Sequence, residues 1–144
     1  MNEKFYIDFL RWCIHPTATL PSCVDDIDWQ GLLSFAKKQT IIGIFWQGTQ
    51  RLGDVANKPS EDEVMDWMGE YTKIVRRNTK TDDAVAWLAK FMHSNDIGFF
   101  AFKGQTVASY YPTPEIRTSG DVDFYVFRRD WGRAKSLLEK EWLH

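Results

Sequence analysis

Apolar residues recur at helical spacing through most of the chain. From Glu3 to Ile14 they are Phe5, Tyr6, Phe9, Leu10, Trp12 and Cys13, one face of a helix that Pro16 and Pro21 end. In "DDIDWQGLLSFAKKQ", Asp28 stands as an N-cap ahead of the inward positions Trp29, Leu32, Leu33, Phe35 and Ala36. Ile41 to Leu52 is apolar at mixed spacing. It reads as a third, more buried helix stopped by Gly53 or Asn57. Ser60 and Glu63 match the S-x-x-E capping box, in which each residue satisfies a free amide of the other. Behind that box run Val64, Trp67, Met68, Tyr71, Ile74 and Val75, then Val85, Leu88 and Met92. Ile74 and Val85 are about three turns apart, so the stripe stays in phase across the polar gap "RRNTKTDD". One helix from about Ser60 to Ser94 is expected, roughly 50 Å long, with a bend allowed in the gap. A Met and aromatic stripe of this kind is core rather than a cofactor box.

The pattern changes at "SND" near Asn95. "IGFFAFKG" is a short apolar run bounded by glycines and reads as a buried strand. "QTVASYY" has helical spacing and ends at Pro112, and "YPTPEIRTSG" is a turn-rich connection. "DVDFYVF" is the second strand. "RRDWGRAKSLLEKEWL" is a helix from near Asp130, with Trp131, Ala134, Leu137, Leu138 and Trp142 on one side. The expected class is α+β, mostly helical. A helical region spans 1–96, and a β-α-β-α segment spans 97–144.

Composition adds limits. The chain has 144 residues, is 44% apolar and carries a net charge of -2 with signs mixed, so a packed core is expected and a basic nucleic-acid stripe is not. Cys13 and Cys23 form no CxxC and read as reduced core thiols of a cytoplasmic protein. His15, His93 and His144 have no ligand-like spacing. No run approaches the ~20 apolar residues of a membrane span, and the N-terminus does not read as a signal peptide.

The chemistry centres on "RTSGDVDFYV", where Asp121 and Asp123 stand one residue apart at the opening of a strand. The tripeptide alone says little, because Asp26-Ile27-Asp28 repeats it where a helix cap is wanted. On a strand, residues i and i+2 share a face. Two carboxylates held together are either a charged strand entrance in water or a cation site. Mg²⁺ takes oxygen ligands, with one or two carboxylates completed by substrate phosphates. Upstream, Lys103-Gly104-Gln105 lies between the first strand and a helix. There Gly104 permits close backbone approach and Lys103 adds a charge suited to phosphate.

These residues resemble the nucleotidyltransferase superfamily with the DNA polymerase beta-like fold: a hydrophobic strand, a glycine turn, a helix, and a second strand opening with Asp-x-Asp. More narrowly, "FKGQTVASYYPTPEIRTSGDVDFYVFRRDW" is similar to the bacterial uncharacterised nucleotidyltransferase family over about Phe99 to Trp131. The helical part is similar only loosely. The resemblance implies that 97–144 is the first part of a core with a small mixed sheet. It implies Asp121 and Asp123 as catalytic ligands of Mg²⁺ or Mn²⁺, and Lys103, Gly104, Gln105, Arg117 and Ser119 on the nucleotide side. Arg117 either contacts a phosphate or braces the loop. The implied substrate is a nucleoside triphosphate, and the implied reaction passes its nucleoside monophosphate to an acceptor with release of pyrophosphate. The acceptor stays open among protein, RNA, a small molecule and a polysaccharide precursor.

Two departures from the pattern shape the expectation. Gln105 stands where the superfamily usually has Ser or Gly. The superfamily's third carboxylate, from a later strand, has no convincing counterpart in Glu139 or Glu141. The sequence is therefore expected to be the N-terminal piece of a longer protein whose third acid follows His144, with activity belonging to the full-length form. A glycosyltransferase D-x-D fits less well, since its acids follow an apolar strand and here Phe124 to Phe127 come after them. The remaining alternative is a helical binding or regulatory module with a degenerate nucleotidyltransferase core.

Overall fold

The computed structural model describes residues 3–15, 17–111, 113–118 and 120–142. Expectations resting on Pro16, Pro112, Ser119 and His144 fall outside them, as do the side chains of Glu3, Cys23, Gln105 and Trp142. The helices are α1 (Glu3–Ile14), α2 (Trp29–Gln39), α3 (Ile42–Thr49), α4 (Glu61–Ser94), α5 (Gly104–Ala108) and α6 (Trp131–Trp142). The strands are β1 (Phe99–Phe102) and β2 (Asp123–Val126), and short 3₁₀ turns occupy Ser22–Asp26 and Pro114–Ile116. No helix among the described residues is long and apolar enough to cross a membrane. The chain divides into two compact units, Met1–Arg76 with Glu115–Thr118, and Arg77–Pro114 with Ser119–His144. The division falls inside α4.

The first unit is an aromatic helical core. Phe9 of α1 stacks on Trp12 and on Phe45 of α3 and meets Trp29 of α2 edge-on, while Phe45 meets Trp67 of α4 edge-on. Such rings bury large area and gain a further ~0.5–1.5 kcal/mol per well-set pair. Asp28 caps α2 as expected, its Oδ1 accepting from the Gly31 amide at 3.0 Å. The other end of α2 closes on Thr40, whose φ is 58°. The Ile41 amide reaches the Ala36 carbonyl and the Thr40 amide the Lys37 carbonyl, the hydrogen-bond pair of a Schellman stop. Arg51 closes α1. Its guanidinium lies 4.3 Å from the Trp12 ring centroid and donates to the carbonyls of Trp12 and Cys13. Helix α3 ends at Thr49, before the expected stop, and Thr49 Oγ1 donates back to the Trp46 carbonyl at 2.7 Å.

Two close approaches tie this unit together. Cys13 of α1 presses on Gly48 of α3. The segment Glu115–Thr118 packs its buried Ile116 on Gly43, so closely that a Cβ at Gly43 would stand 2.7 Å from Ile116 Cβ. Glu70 of α4 accepts from Lys73 and from Lys37 of α2, and the Lys73 bond first, then Lys37, holds its carboxyl below the usual range.

The capping box forms as written. The Glu63 amide donates to Ser60 Oγ, and Glu63 Oε2 accepts from the Ser60 amide at 2.8 Å. From there α4 is unbroken to Ser94. The polar gap is not a gap in the buried stripe: Asn78 and Thr81 are themselves buried, at helical spacing between Ile74 and Val85. Thr81 Oγ1 satisfies itself on the Arg77 carbonyl at 3.0 Å. At the far end Asp96 takes φ 53°, the Ile97 amide reaches the Met92 carbonyl and the Asp96 amide the His93 carbonyl. This second Schellman stop brings Met92 and Ile97 together in one cluster.

That cluster is the core of the second unit. Leu88 and Met92 of α4 and Ala134, Leu137 and Leu138 of α6 pack with Phe99, Phe124 and Val126. Among the described residues the sheet is a two-stranded antiparallel pair, where the resemblance implies a small mixed one. The chain between the strands turns back through α5 and the 3₁₀ turn, and an antiparallel return needs no longer crossover. The buried-strand expectation for β1 is also corrected. Burial alternates along Phe99–Phe102, with Phe100 and Phe102 exposed. Trp131, expected on the inner side of α6, is exposed too.

Candidate functional site

The strand register builds the site. Phe102 lies opposite Asp123, Ala101 opposite Phe124, Phe100 opposite Tyr125 and Phe99 opposite Val126. Directly opposed residues share a face. Phe99, Phe124 and Val126 belong to the core. The other face therefore carries Phe102 and Phe100 from β1, and Asp123 and Tyr125 from β2.

Beyond Phe102 the backbone turns through two left-handed residues, Lys103 at φ 55° and Gly104 at φ 37°. Glycine accepts this conformation freely, whereas a lysine there costs about 1–2 kcal/mol. The turn starts α5 at the end of the strand, with the Val107 amide bonded to the Lys103 carbonyl at 3.2 Å. It also aims Lys103 across the strand pair, where its Nζ lies 3.8 Å from Asp123 Oδ2. Lys103 and Asp123 are 67% and 41% exposed, so the pair is solvated and weak.

Lys103, Gly104, Asp121 and Asp123 line one small cavity of about 30 Å³, together with Phe102 and Thr106. It has room for about one water and not for a nucleotide. Asp121 is exposed and precedes β2, which begins at Asp123. Strand alternation alone therefore does not pair the acids; their shared cavity does.

Gln105 lies in α5 with its side chain outside the described set. Arg117, half-buried, belongs to the first unit with Ile116. Ser119 is outside the described residues. Among the described residues no cluster of three or more His, Cys, Asp or Glu is placed to hold a metal ion. Glu139 and Glu141 are exposed on α6, Glu139 within 3.8 Å of Lys135. Mg²⁺ takes one or two carboxylates with phosphate oxygens completing its shell, and Asp121 and Asp123 are the carboxylates that line this cavity.

Sequence reasoning missed Thr106, and Val85 of α4, which lines the same cavity. It also missed the open aromatic face beside the acids. "FFAF" is apolar at every position and carries no alternation, so only the register against "DFYV" assigns its faces.

A model of the family described as uncharacterised nucleotidyltransferase matches residues 25–141. No curated protein and no solved structure matches the chain.

Proposed function

The chain belongs to the uncharacterised nucleotidyltransferase family, and from that premise we propose that it transfers a nucleoside monophosphate from a nucleoside triphosphate to an acceptor hydroxyl, releasing pyrophosphate. The observation that carries the reading is the common cavity of the glycine turn, Lys103-Gly104, and the acid pair, Asp121 and Asp123. A phosphate-approaching turn and an acid pair are two of the parts that phosphoryl transfer uses. It asks little covalent chemistry of a protein and much positioning and charge stabilisation.

In this reading Asp121 and Asp123 hold Mg²⁺ or Mn²⁺, which when bound supplies positive charge at the α-phosphate. Gly104 lets the triphosphate approach the backbone, and Gln105 shares that turn. Lys103 gives up its contact with Asp123 and turns its charge to a phosphate oxygen. Arg117 and Ser119 are assigned to the nucleotide side on the family pattern, and 97–144 is assigned to the nucleotidyltransferase core. The acceptor oxygen forms a bond to the α-phosphorus as the bond to the pyrophosphate oxygen breaks. The hydroxyl proton is released to solvent.

Calorimetric titration with Mg²⁺ and each nucleoside triphosphate tests this. Binding of at least one triphosphate is expected, with loss of about tenfold or more in Asp121→Asn and Asp123→Asn, the scale of one desolvated charge contact. No triphosphate binding, or binding indifferent to both substitutions, would instead favour a non-catalytic module with a degenerate core.

A further inference from the structure

We propose that the outer face of the β1–β2 pair is the acceptor platform, and that the acceptor is the end of a single-stranded nucleic acid; this rests on the nucleotidyl-transfer reading above. Four rings occupy that face. Phe100, Phe102, Tyr125 and Phe127 are each between 37% and 49% exposed, which is unusual for neighbouring large aromatics on one surface. They touch one another: Phe100 stacks on Tyr125 at 5.1 Å between centroids, and Tyr125 meets Phe127 edge-on at 5.8 Å. The surface is thus a pre-arranged sheet of ring faces and edges.

Its position ties it to the chemistry. Asp123, Tyr125 and Phe127 alternate along one chain, and Phe102 is the register partner of Asp123. The aromatic row therefore runs straight away from the acid pair. At ~3.3 Å per residue it extends roughly 13 Å from Asp123 to Phe127, more than one nucleobase covers. A mononucleotide would leave much of it bare. Two or three successive bases would fill it, and base–aromatic stacking tolerates any base because each has a π face.

The charges fit the same occupant. Lys103 Nζ lies 5.4 Å from the Phe102 centroid at one end, and the Arg129 guanidinium 5.9 Å from the Phe127 centroid at the other. Both side chains are exposed, and their acidic partners, Asp123 at 3.8 Å and Asp130 at 3.3 Å, hold them only weakly. A phosphodiester backbone crossing a ring platform needs a cation at its margin, which Arg129 supplies once Lys103 is engaged by the triphosphate. With the strand's terminal base nearest Phe102, its ribose hydroxyl sits beside Asp121 and Asp123. That hydroxyl oxygen bonds to the α-phosphorus, pyrophosphate leaves with the broken bond's electron pair, and the proton passes to solvent.

The test is fluorescence anisotropy of the whole chain with a labelled oligouridylate of about a dozen nucleotides, and its deoxythymidylate counterpart, without metal or triphosphate. The wild type is expected to bind and to weaken as salt rises. Phe100→Leu with Tyr125→Leu keeps the face apolar but removes two π faces. It is expected to weaken binding about tenfold or more while leaving the melting temperature and triphosphate binding in place. The proposal is overturned if neither oligonucleotide binds, or if the double variant binds as well as wild type. It is also overturned if sedimentation shows a self-association that the double variant abolishes, which would give the face to a second copy. Triphosphate binding retained while oligonucleotide binding is absent sinks this proposal alone. Oligonucleotide binding without triphosphate binding sinks the nucleotidyl-transfer reading instead.

Discussion

The Lys103 ammonium stands 3.8 Å from a carboxylate oxygen of Asp123, across the end of the strand pair. In the free protein the lysine is a counter-ion for one of the two proposed metal ligands. A cation arriving at Asp123 must displace it, and the displaced charge is then free for a phosphate. Lys103→Met is therefore expected to raise Mn²⁺ affinity of the free protein, by up to about fivefold for a solvated pair. The same substitution should weaken triphosphate binding. Electron paramagnetic resonance of free Mn²⁺ reads the first effect and calorimetry the second. A fall in Mn²⁺ affinity would refute the competition.

Gly43 and Gly69 are both inside helices, yet the same change should act on them in opposite directions. Gly to Ala inside a helix normally stabilises by about 1 kcal/mol. At Gly69 an added Cβ meets nothing, so Gly69→Ala should show that gain in urea unfolding. At Gly43 it would stand 2.7 Å from Ile116 Cβ and 2.8 Å from Ile116 Cα, and would also meet the Ile116 carbonyl. Backbone must move, so Gly43→Ala is expected to lose about 1–3 kcal/mol. Equal gains at both positions would show that the Ile116 segment does not pack there.

Thr40 ends α2 at φ 58°, a left-handed conformation that a β-branched residue adopts only under strain. Its side chain is exposed. Thr40→Gly is expected to stabilise the first unit by roughly 1 kcal/mol, the strain released less the extra freedom of the unfolded chain. Thermal unfolding at a single pH checks it. A loss of stability would mean that the hydroxyl or methyl makes a contact worth more than the strain.

Burial pushes the Cys13 thiol up to about 12, against the smaller opposing pull of Arg51. Thiolate is the reactive form. At pH 8 the native chain should therefore react with iodoacetamide at Cys13 far more slowly than the urea-unfolded chain. The sign of the stability effect follows. Below about pH 9 both states keep the proton and the group contributes no pH dependence. Between there and about 12 the unfolded state loses it first, so stability falls as pH rises, and Cys13→Ser should flatten that decline. Native-state labelling as fast as unfolded would contradict the burial.

Much of this architecture was legible because local chemistry and tertiary packing agree. Asp28, the Ser60–Glu63 box and the stop after Ser94 are signals that act within one turn of backbone, and each forms as read. The two strands were found for the same reason. What was illegible depended on neighbours distant in sequence. Asn78 and Thr81 are polar by type, and only the packed fold buries them. "FFAF" is apolar at every position, so its composition could not say that Phe100 and Phe102 face outward. Arg117 and Asp121 are four residues apart in the chain. Yet Glu115–Thr118 belongs to the first unit through Ile116 and Gly43, and Asp121 to the second.

The Schellman stop at Asp96 has a consequence for what the chain can tolerate. It fixes where Ile97 docks on Met92, and β1 begins two residues later. Inserting or deleting a single residue at Gly98 would exchange the two faces of β1, turning Phe100 and Phe102 inward and Phe99 and Ala101 outward. The rings could then no longer share a side with Asp123. Packing alone leaves the kind of side chain on the outer face open, but it fixes the length of the link between helix and strand. Relatives of this chain should differ there by substitution and keep the count of residues.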